Sequence, residues 1–552
     1  MRKIILQFFV AIFVSLALGV CVGSAQNRTD VYAITNARIV IVSGAPIERG
    51  TVVVRDGLIE AVGANARVPA DAQVINGDGL TIYPGFFDAD TNLGLPAQTT
   101  PSPAQSPFQR GAIPQASPAP ASNSNYPNGL QPEEKVVSQL QAGDAQFDAQ
   151  RSVGMTTALT IGRDGIFNGQ SALINLSGNS VSEMLIREPV AEHITFRTLG
   201  VTYPTSLLGT FSALRQMFLD AQRLQINQQT YAKNPRGMPR PEADESLEAL
   251  IPILNRQMPV VFNANSEREI VRALDLAQEF NLTAIIAGGQ EAWKQAARLK
   301  KQNVPVLLSL NFPRRTTSAS PEADPETLAI LRFRVETPKG AARLQQAGVK
   351  FAFESGGATN PNDFLTNAGK AVENGLSPDD ALRAMTLSAA EIFGVSDRLG
   401  TIETGKIANL VVSRGDVLSK DKTIKYVFVD GKLFEQKEKP KTPTPPAGTT
   451  QSGFANVSGT YKITIEVSGQ AIPATLTLIG QGRILSGSLQ SQFGTSQIDG
   501  EVSAEGFKFN SSIDFAGRKS ELVVNGNVNG NQISGTFTTQ QGTAQFTGTR
   551  VP

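Results

Sequence analysis

Two hydrophobic patterns alternate through residues 133–395. Short apolar runs such as MPVVFNAN and VPVLLSLN predict buried strands, and amphipathic segments such as SEREIVRALDLAQEF predict helices. Ser266 stands where a side-chain oxygen would cap the helix of that last segment. Because repeated strand–helix units of this length bring successive strands parallel, the pattern predicts an α/β fold. The parallel sheet would be covered by helices, as a barrel or as a doubly wound sheet.

The flanking regions follow a different pattern. Residues 31–80 and 400–435 read as short strands and turns, and residues 454–552 contain about eight alternating strands joined by Gly and Asn turns. This last stretch predicts a separate all-β domain, an antiparallel barrel or sandwich. Residues 96–132 and 436–453 are rich in proline and predict a mobile insertion and a linker, because they bury too little apolar surface to offset ordering entropy.

The first 25 residues have the pattern of a secretory signal peptide. Arg2 and Lys3 precede an almost entirely apolar stretch, Ile4–Val22, and the small residues Gly23-Ser24-Ala25 offer a cleavage site. The alternative is an uncleaved membrane anchor, since the apolar stretch is near the lower length of a membrane span. We expect cleavage, a secreted or periplasmic protein, and no stable membrane span afterwards.

Composition excludes several kinds of site. The chain has 552 residues, one histidine and one cysteine, and its 50 Lys and Arg against 49 Asp and Glu leave a net charge of +1. That length allows about three or four domains. The balance of charge argues against a nucleic-acid partner. One histidine and one cysteine exclude a site with several imidazole ligands, a Cys-based zinc site and a structural disulfide.

Several motifs resemble those of one enzyme superfamily. They are ITNARIV (34–40), PGFFDADTNLG (84–94), GLSPDDALRAMTLSAAEIFGV (375–395), GTIETGKIANLVV (400–412) and VFVDGK (427–432). Together they are similar to the amidohydrolase superfamily, most of all to its secreted imidazolonepropionase-like branch, over roughly residues 31–435.

The resemblance implies both a fold and a reaction. The fold is a TIM-type (β/α)₈ barrel over residues 84–395, with a small composite β-sandwich assembled from residues 31–83 and 396–435. The reaction is metal-dependent hydrolysis of carbon–nitrogen bonds other than peptide bonds.

The metal ligands that the resemblance implies are not present in this chain. The family places histidines in an H-x-H motif on the first barrel strand and on two later strands, and an aspartate on the last strand. The residues at or near those positions are Asp90, Asn92, Asn263, Gly288, Gly289, Glu354 and Ser355. The only histidine, His193, matches none of them. We therefore expect no metal cofactor, or at most a divalent cation held by oxygen ligands.

Asp88, Asp90 and Asn92 are the strongest remaining candidates for chemistry. Their i, i+2, i+4 spacing places them on one face of a strand, toward the mouth of the barrel. Oxygen ligands of this kind suit Mg²⁺, Ca²⁺ or Mn²⁺, and the two carboxylates could also act as an acid–base pair. The alternative is a vestigial strand end whose polar groups bond to loops. Glu354, at another strand end, is a further catalytic candidate.

Two other residues carry alternative interpretations. His193 could be a general base or a strand residue satisfied by its neighbours. Glu291 could point into the mouth or occupy the first turn of the next helix, where an acid favours the dipole. The predicted pocket is lined by Asp90, Asn92, Asn263, Glu291, Glu354 and Ser355.

Three functions remain open on the sequence. The first is a secreted pseudoenzyme that binds a small molecule or an envelope or extracellular component through the barrel mouth. The second is an active hydrolase with a rebuilt oxygen-ligand site at Asp88, Asp90 and Asn92. In the third, the C-terminal β domain carries the function and the barrel is its scaffold.

Overall fold

The computed structural model describes residues 31–96, 126–200, 203–314, 326–358, 360–436 and 457–551, except the pairs 468–469, 482–483, 492–493, 504–505, 516–517 and 540–541. The predicted signal peptide, most of the proline-rich insertion and most of the linker lie outside the described residues. The chain divides into two compact units, the first reaching residue 439 and the second formed mainly by residues 440–552.

The first unit opens with five strands. They are β1 (Tyr32–Ile39), β2 (Ile47–Arg55), β3 (Leu58–Gly63), β4 (Gln73–Asn76) and β5 (Leu80–Pro84). The β2–β3 hairpin turns at Asp56 and Gly57, whose φ angles of 49° and 81° are both positive. An Asp-Gly pair suits a two-residue turn that needs this backbone conformation, so the hairpin is encoded locally.

The central part of the unit contains ten strands. They are β6 (Phe86–Thr91), β7 (Met155–Thr160), β8 (Phe167–Gln170), β9 (Ala172–Asn175), β10 (Leu185–Arg187), β11 (Glu192–Thr195), β12 (Val260–Ala264), β13 (Ala284–Gly288), β14 (Val306–Ser309) and β15 (Phe351–Glu354).

Eleven α-helices are described among and after these strands. They are α1 (Asp148–Arg151), α2 (Val181–Met184), α3 (Leu207–Lys233), α4 (Glu245–Leu254), α5 (Glu267–Glu279), α6 (Ala296–Lys301), α7 (Leu328–Glu336), α8 (Gly340–Gln346), α9 (Asn362–Glu373), α10 (Pro378–Met385) and α11 (Leu387–Ile392). Ser266 caps α5 as predicted, because its hydroxyl accepts the Glu269 N–H and the Glu269 carboxylate bonds back to the cap.

The strands form two sheets, and each contains a parallel group. The order of the first sheet is β10-β9-β7-β6, with β6 and β7 parallel, and that of the second is β8-β11-β12-β13-β14-β15, with β11 to β15 parallel. The sheets meet where β15 ends beside β6. At this junction the Ser355 N–H donates to Asp88 Oδ1 over 2.9 Å. This is the barrel-type arrangement, but the described residues show seven parallel strands instead of the expected eight.

The departure from eight regular units lies after β7. The segment from Gly162 to Gly178 does not form a crossover helix; it contains the short strands β8 and β9, and β9 pairs antiparallel with β7. Gly165 and Gly169 have φ angles of 85° and 83°, a left-handed conformation that favours glycine. Turns at these glycines change the direction of the chain where a crossover helix was expected.

Alternate residues of the parallel strands enter two different hydrophobic clusters. Phe262, Leu308 and Phe353 pack in the large cluster that includes the helices, whereas Val261 and Leu307 pack in a smaller one. The smaller cluster takes side chains from both sheets and from α11, and the division follows from the alternation of strand residues between two faces.

Three strands after the barrel join β1 to β5 in a separate eight-stranded sheet. They are β16 (Leu410–Arg414), β17 (Thr423–Val429) and β18 (Lys432–Glu435). The sheet has eight strands in the order β18-β17-β16-β5-β1-β2-β3, with β4 paired to β1, and β16 runs antiparallel to β5. Both flanking segments of the chain therefore build one sheet.

Asn409 links this sheet to the barrel. Its amide donates to Thr157 Oγ1 over 3.0 Å and to Asn175 Oδ1 over 2.7 Å, and its carbonyl accepts the Asp430 N–H over 2.7 Å. The side chain is buried, so each of these bonds satisfies a group that lacks easy access to water.

The second unit is a closed antiparallel barrel of eight strands. They are β19 (Gly459–Val467), β20 (Gln470–Gln481), β21 (Ile484–Ser491), β22 (Gly494–Val502), β23 (Phe507–Phe515), β24 (Arg518–Asn529), β25 (Gln532–Thr539) and β26 (Gly542–Arg550). Pairing of β26 with β19 closes the barrel. The predicted all-β domain of about eight strands is confirmed, and closure decides for the barrel over the sandwich.

Among the helices that the structure describes, none is long and apolar enough to cross a membrane.

We expect Asn409→Ala to lower the free energy of unfolding of the first unit by roughly 2–3 kcal/mol, because it leaves buried partners of Asn409 unsatisfied. Urea denaturation of the full chain measures this. Asn374→Ala is the matched control, since the Asn374 amide bonds to the Lys370 carbonyl at an exposed site. Equal losses in the two variants would contradict the role given to Asn409.

Glu192 on β11 is fully buried, and burial raises its pKa well above the ordinary 4.5, with a further contribution from the charge of Glu133. A pKa raised by folding contributes stability below the unfolded value, and that stability is lost as the pH rises through the folded pKa. The free energy of unfolding of the unchanged protein should therefore fall as the pH is raised from about 5 to about 8. We expect a smaller fall in Glu192→Gln, which has no carboxyl to titrate at this position. Urea titrations at the two pH values test this, with the exposed Glu242→Gln as control. Parallel losses in all three proteins would show that Glu192 does not titrate as described.

Candidate functional site

Five titratable side chains that act on one another electrostatically lie on or shortly after four barrel strands. Asp88 and Asp90 lie on β6, Glu354 ends β15, His193 lies on β11 and Arg163 follows β7. We call this set the barrel-mouth cluster. Its acids and its histidine are buried, with at most 3% of each residue exposed, whereas 31% of the Arg163 side chain is exposed.

Backbone groups bind two of the three carboxyls. Asp88 Oδ1 accepts the Ser355 N–H over 2.9 Å, and Glu354 Oε2 accepts the Gly356 N–H over 2.5 Å. The second bond requires a tight turn after β15, where Gly356 has a φ of 65°. A Cβ on Gly356 would lie 2.3 Å from Ser309 Oγ, so both the turn and its close packing require glycine.

Arg163 provides the positive charge of the cluster. Its Nη1 lies 3.2 Å from Asp90 Oδ1, and its charge also acts on Asp88 and on His193. The Arg163 carbonyl accepts a bond from Arg197 Nη1 over 3.1 Å, which helps to hold the loop. The sequence analysis missed Arg163, which lies in the glycine-rich segment GRDGIFNGQ. Its position directly after the strand-like run MTTALTIG (155–162) was the available signal.

Burial dominates the protonation of the acids. It raises the pKa of Asp88 and of Asp90 to about 6, against the opposing charge of Arg163. The pKa of Glu354 is raised well above its usual range, first by burial and then by the charges of Asp90 and Asp88. Near neutral pH, protons therefore remain within this group of carboxyls.

His193 behaves in the opposite way. Burial, together with the nearby charge of Arg163, lowers its pKa to about 3. The imidazole is therefore neutral at physiological pH, and a base with so low a pKa is poorly matched to proton abstraction near neutrality.

Three atoms of the cluster have no hydrogen-bond partner among the residues that the structure describes. They are Asp90 Oδ1, Arg163 Nη2 and His193 Nε2. Asp90 Oδ1 nevertheless forms an ion pair with Arg163 Nη1 at 3.2 Å. Buried polar atoms are nearly always satisfied by protein, water or a ligand, so these three atoms are the ones in the cluster still available to bond to water or a ligand.

The cluster does not fit a divalent metal ion. Asp88 and Glu354 accept backbone N–H groups, and Asp90 is paired with a guanidinium. Within the described ranges, no group of three or more His, Cys, Asp or Glu side chains is arranged to hold an ion. A metal site with protein ligands needs several donors directed at one point, and here one oxygen of each carboxyl is already directed at a backbone N–H or at the Arg163 guanidinium.

The remaining predicted residues are dispersed. The prediction that Asn92 shares a strand face with Asp88 and Asp90 differs from the structure, because β6 ends at Thr91 and Asn92 is exposed beyond it. Asn263 is half-buried on β12, and Ser355 contributes its backbone N–H to Asp88.

Glu291 precedes the 3₁₀ helix Ala292–Gln295 without capping it through its side chain, and its carboxylate lies at the start of an earlier helix instead of in the first turn of the next one. Its carboxylate accepts the Glu267 N–H at the beginning of α5 over 2.8 Å and the Lys294 ammonium over 2.7 Å. These bonds lower its pKa and direct the carboxylate to a helix terminus, a favourable place for an acid.

Comparisons with known proteins agree with this architecture. Residues 296–434 match the Amidohydrolase family. The fold is similar to the crystal structure of an amidohydrolase from Thermotoga maritima MSB8, with 24% identity and a TM-score of 0.60 over 73% of this chain and 100% of that chain. No curated protein matches.

Two other solved structures share less with this chain. A prolidase complexed with N-methylphosphonate-L-proline is 18% identical, with a TM-score of 0.45 over 74% of this chain and 100% of its own. An adenosine deaminase from Xanthomonas campestris with bound zinc is 16% identical, with a TM-score of 0.40 over 73% of this chain and 92% of its own. Residues 296–434 are therefore similar to the Amidohydrolase family, and the chain shares a TIM-barrel-type fold with the Thermotoga protein.

Proposed function

We propose that this protein is an amidohydrolase-superfamily pseudoenzyme that has lost the metal centre and binds a small polar molecule at the barrel mouth. The observation that supports this most is the pairing of Asp90 with Arg163 at 3.2 Å, where the family resemblance implies a metal ligand. In metal-dependent hydrolysis the ion acts mainly by lowering the pKa of its bound water to about 7. A guanidinium does not activate water in this way.

The chemistry of the chamber suggests the kind of ligand. Arg163 Nη2 is a donor without a partner among the described residues, and the neutral His193 Nε2 is buried in the same cluster. A ligand with an oxygen acceptor would satisfy the guanidinium arm. Residues 1–25 favour a secreted or periplasmic setting, where the ligand is a small molecule or a fragment of an envelope or extracellular component.

Metal analysis of the purified full chain tests the proposal directly. We expect elemental analysis, after growth with added zinc and gel filtration without chelator, to show well below one equivalent of metal per chain, because the donors are already engaged. About one equivalent of tightly held Zn²⁺ per chain would overturn the proposal.

The charge state of the cluster favours one second candidate. Asp88 and Asp90 have pKa values raised to about 6, close to the range in which a carboxyl transfers protons efficiently at neutral pH. In this alternative the protein is an active hydrolase with a site rebuilt on Asp88, Asp90 and Glu354, with or without a divalent ion. Asn92 is not part of it, because it is exposed beyond the strand.

Ion-dependent stability separates the two functions. A protein that binds Mg²⁺, Mn²⁺ or Ca²⁺ is stabilised by mass action, so the metal form of the alternative predicts a rise in Tm that Asp90→Ala removes. We expect no such rise in differential scanning calorimetry. Asp275→Ala, which removes an acid from an exposed ion pair with Arg298, is the control for general charge effects. A rise that survives in the control but is absent from Asp90→Ala would favour the hydrolase.

A further inference from the structure

We propose that Arg163 is the resident cation of the barrel mouth, and that its guanidinium neutralises the buried acids as a divalent ion would. The inference deepens the proposed function and rests on it, because it explains how the mouth remains folded without a metal. It also identifies Arg163 as the positioning residue for Asp90.

The cluster holds more acidic groups than cationic ones. Asp88, Asp90 and Glu354 bring three buried carboxyls into electrostatic contact with one another. His193 contributes no charge, since its imidazole is neutral near pH 7. Within the part of the chain that the structure describes, Arg163 is the cation whose charge acts on both Asp88 and Asp90.

The buried Asp90 carboxylate requires a cation beside it. An unpaired buried carboxylate is strongly unfavourable, and removal of one partner from a buried pair destabilises far more than removal of both. Asp90 is 3% exposed, and the backbone N–H bonds of Asp88 and Glu354 do not extend to it. Its charge therefore depends on Arg163.

The two arms of the Arg163 guanidinium have different surroundings. Its Nη1 faces Asp90, while its Nη2 is buried and has no partner among the described residues. Because a guanidinium is planar, always charged and bears several donors, it can hold a carboxylate with one arm and present the other to a ligand. Unlike a bound ion, it cannot be removed by chelation.

The competing interpretation is an ordinary surface pair, since 31% of the Arg163 side chain is exposed. Exposed pairs contribute little to stability, because water and salt screen them. The two interpretations therefore differ in the size of the effect, in its dependence on pH and in the response of Asp90.

Arg163→Met provides the first measurement. We expect a fall in Tm of roughly 5 °C or more at about pH 8, because charged Asp88 and Asp90 lose their cation. At about pH 5 the fall should be smaller, since both carboxyls, with pKa values of about 6, then carry protons. Arg298→Met, which breaks the exposed pair with Asp275, is the matched control and should change Tm little at either pH.

Asp90→Asn in the Arg163→Met background provides the second measurement. If Arg163 acts through charge, the double variant recovers most of the Tm lost at about pH 8, because the buried carboxylate is no longer present. A fall in Tm that is equal at both pH values, or a double variant no more stable than Arg163→Met, would overturn the inference in favour of simple packing.

These outcomes are separable from those of the proposed function. Metal content is measured on the same preparation of the unchanged protein. Tightly bound zinc there would contradict the proposed function. A metal-free protein in which Asp90→Asn fails to rescue Arg163→Met would leave that function intact and contradict only the role of Arg163.

Discussion

Burial of three carboxyls at the strand ends is the constraint on which the rest of the site depends. Asp88, Asp90 and Glu354 lie where water is largely excluded, so each must be protonated, bonded to backbone or paired with a cation. The structure uses all three solutions. The Ser355 and Gly356 N–H groups bind two of the acids, and Arg163 pairs with the third. The same arrangement leaves no convergent set of donors for a metal among the described residues.

The scaffold makes this arrangement possible by joining distant segments. Asp88 and Ser355 are 267 positions apart in the chain, and they meet because β6 and β15 are the strands at which the two sheets join. Asn409 performs a comparable role on the outside, where it connects the eight-stranded sheet to Thr157 and Asn175. In both places hydrogen bonds of buried polar side chains join separate layers, which makes the geometry specific.

The sequence predicted the elements far better than it predicted the site. Periodicity identified the strand MPVVFNAN and the helix capped by Ser266, because local sequence determines both patterns. It placed Asn92 on the face of Asp88 and Asp90 on the assumption that the strand continues, whereas β6 ends at Thr91. Glu291 was placed in the pocket because strand ends converge there, but its carboxylate bonds to the Lys294 ammonium and to the Glu267 N–H at the start of a helix.

What the sequence by itself determined is the chemical inventory: one histidine, acids at the strand ends, and a C-terminal segment whose period-two pattern requires an all-β domain. Only the tertiary structure decided which of those acids share a chamber and which cation balances them. Arg163 shows the physical reason. Its role depends on its distance of 3.2 Å from Asp90 and on the burial of that acid. The two residues are 73 positions apart in the chain, so only the folded structure defines either quantity.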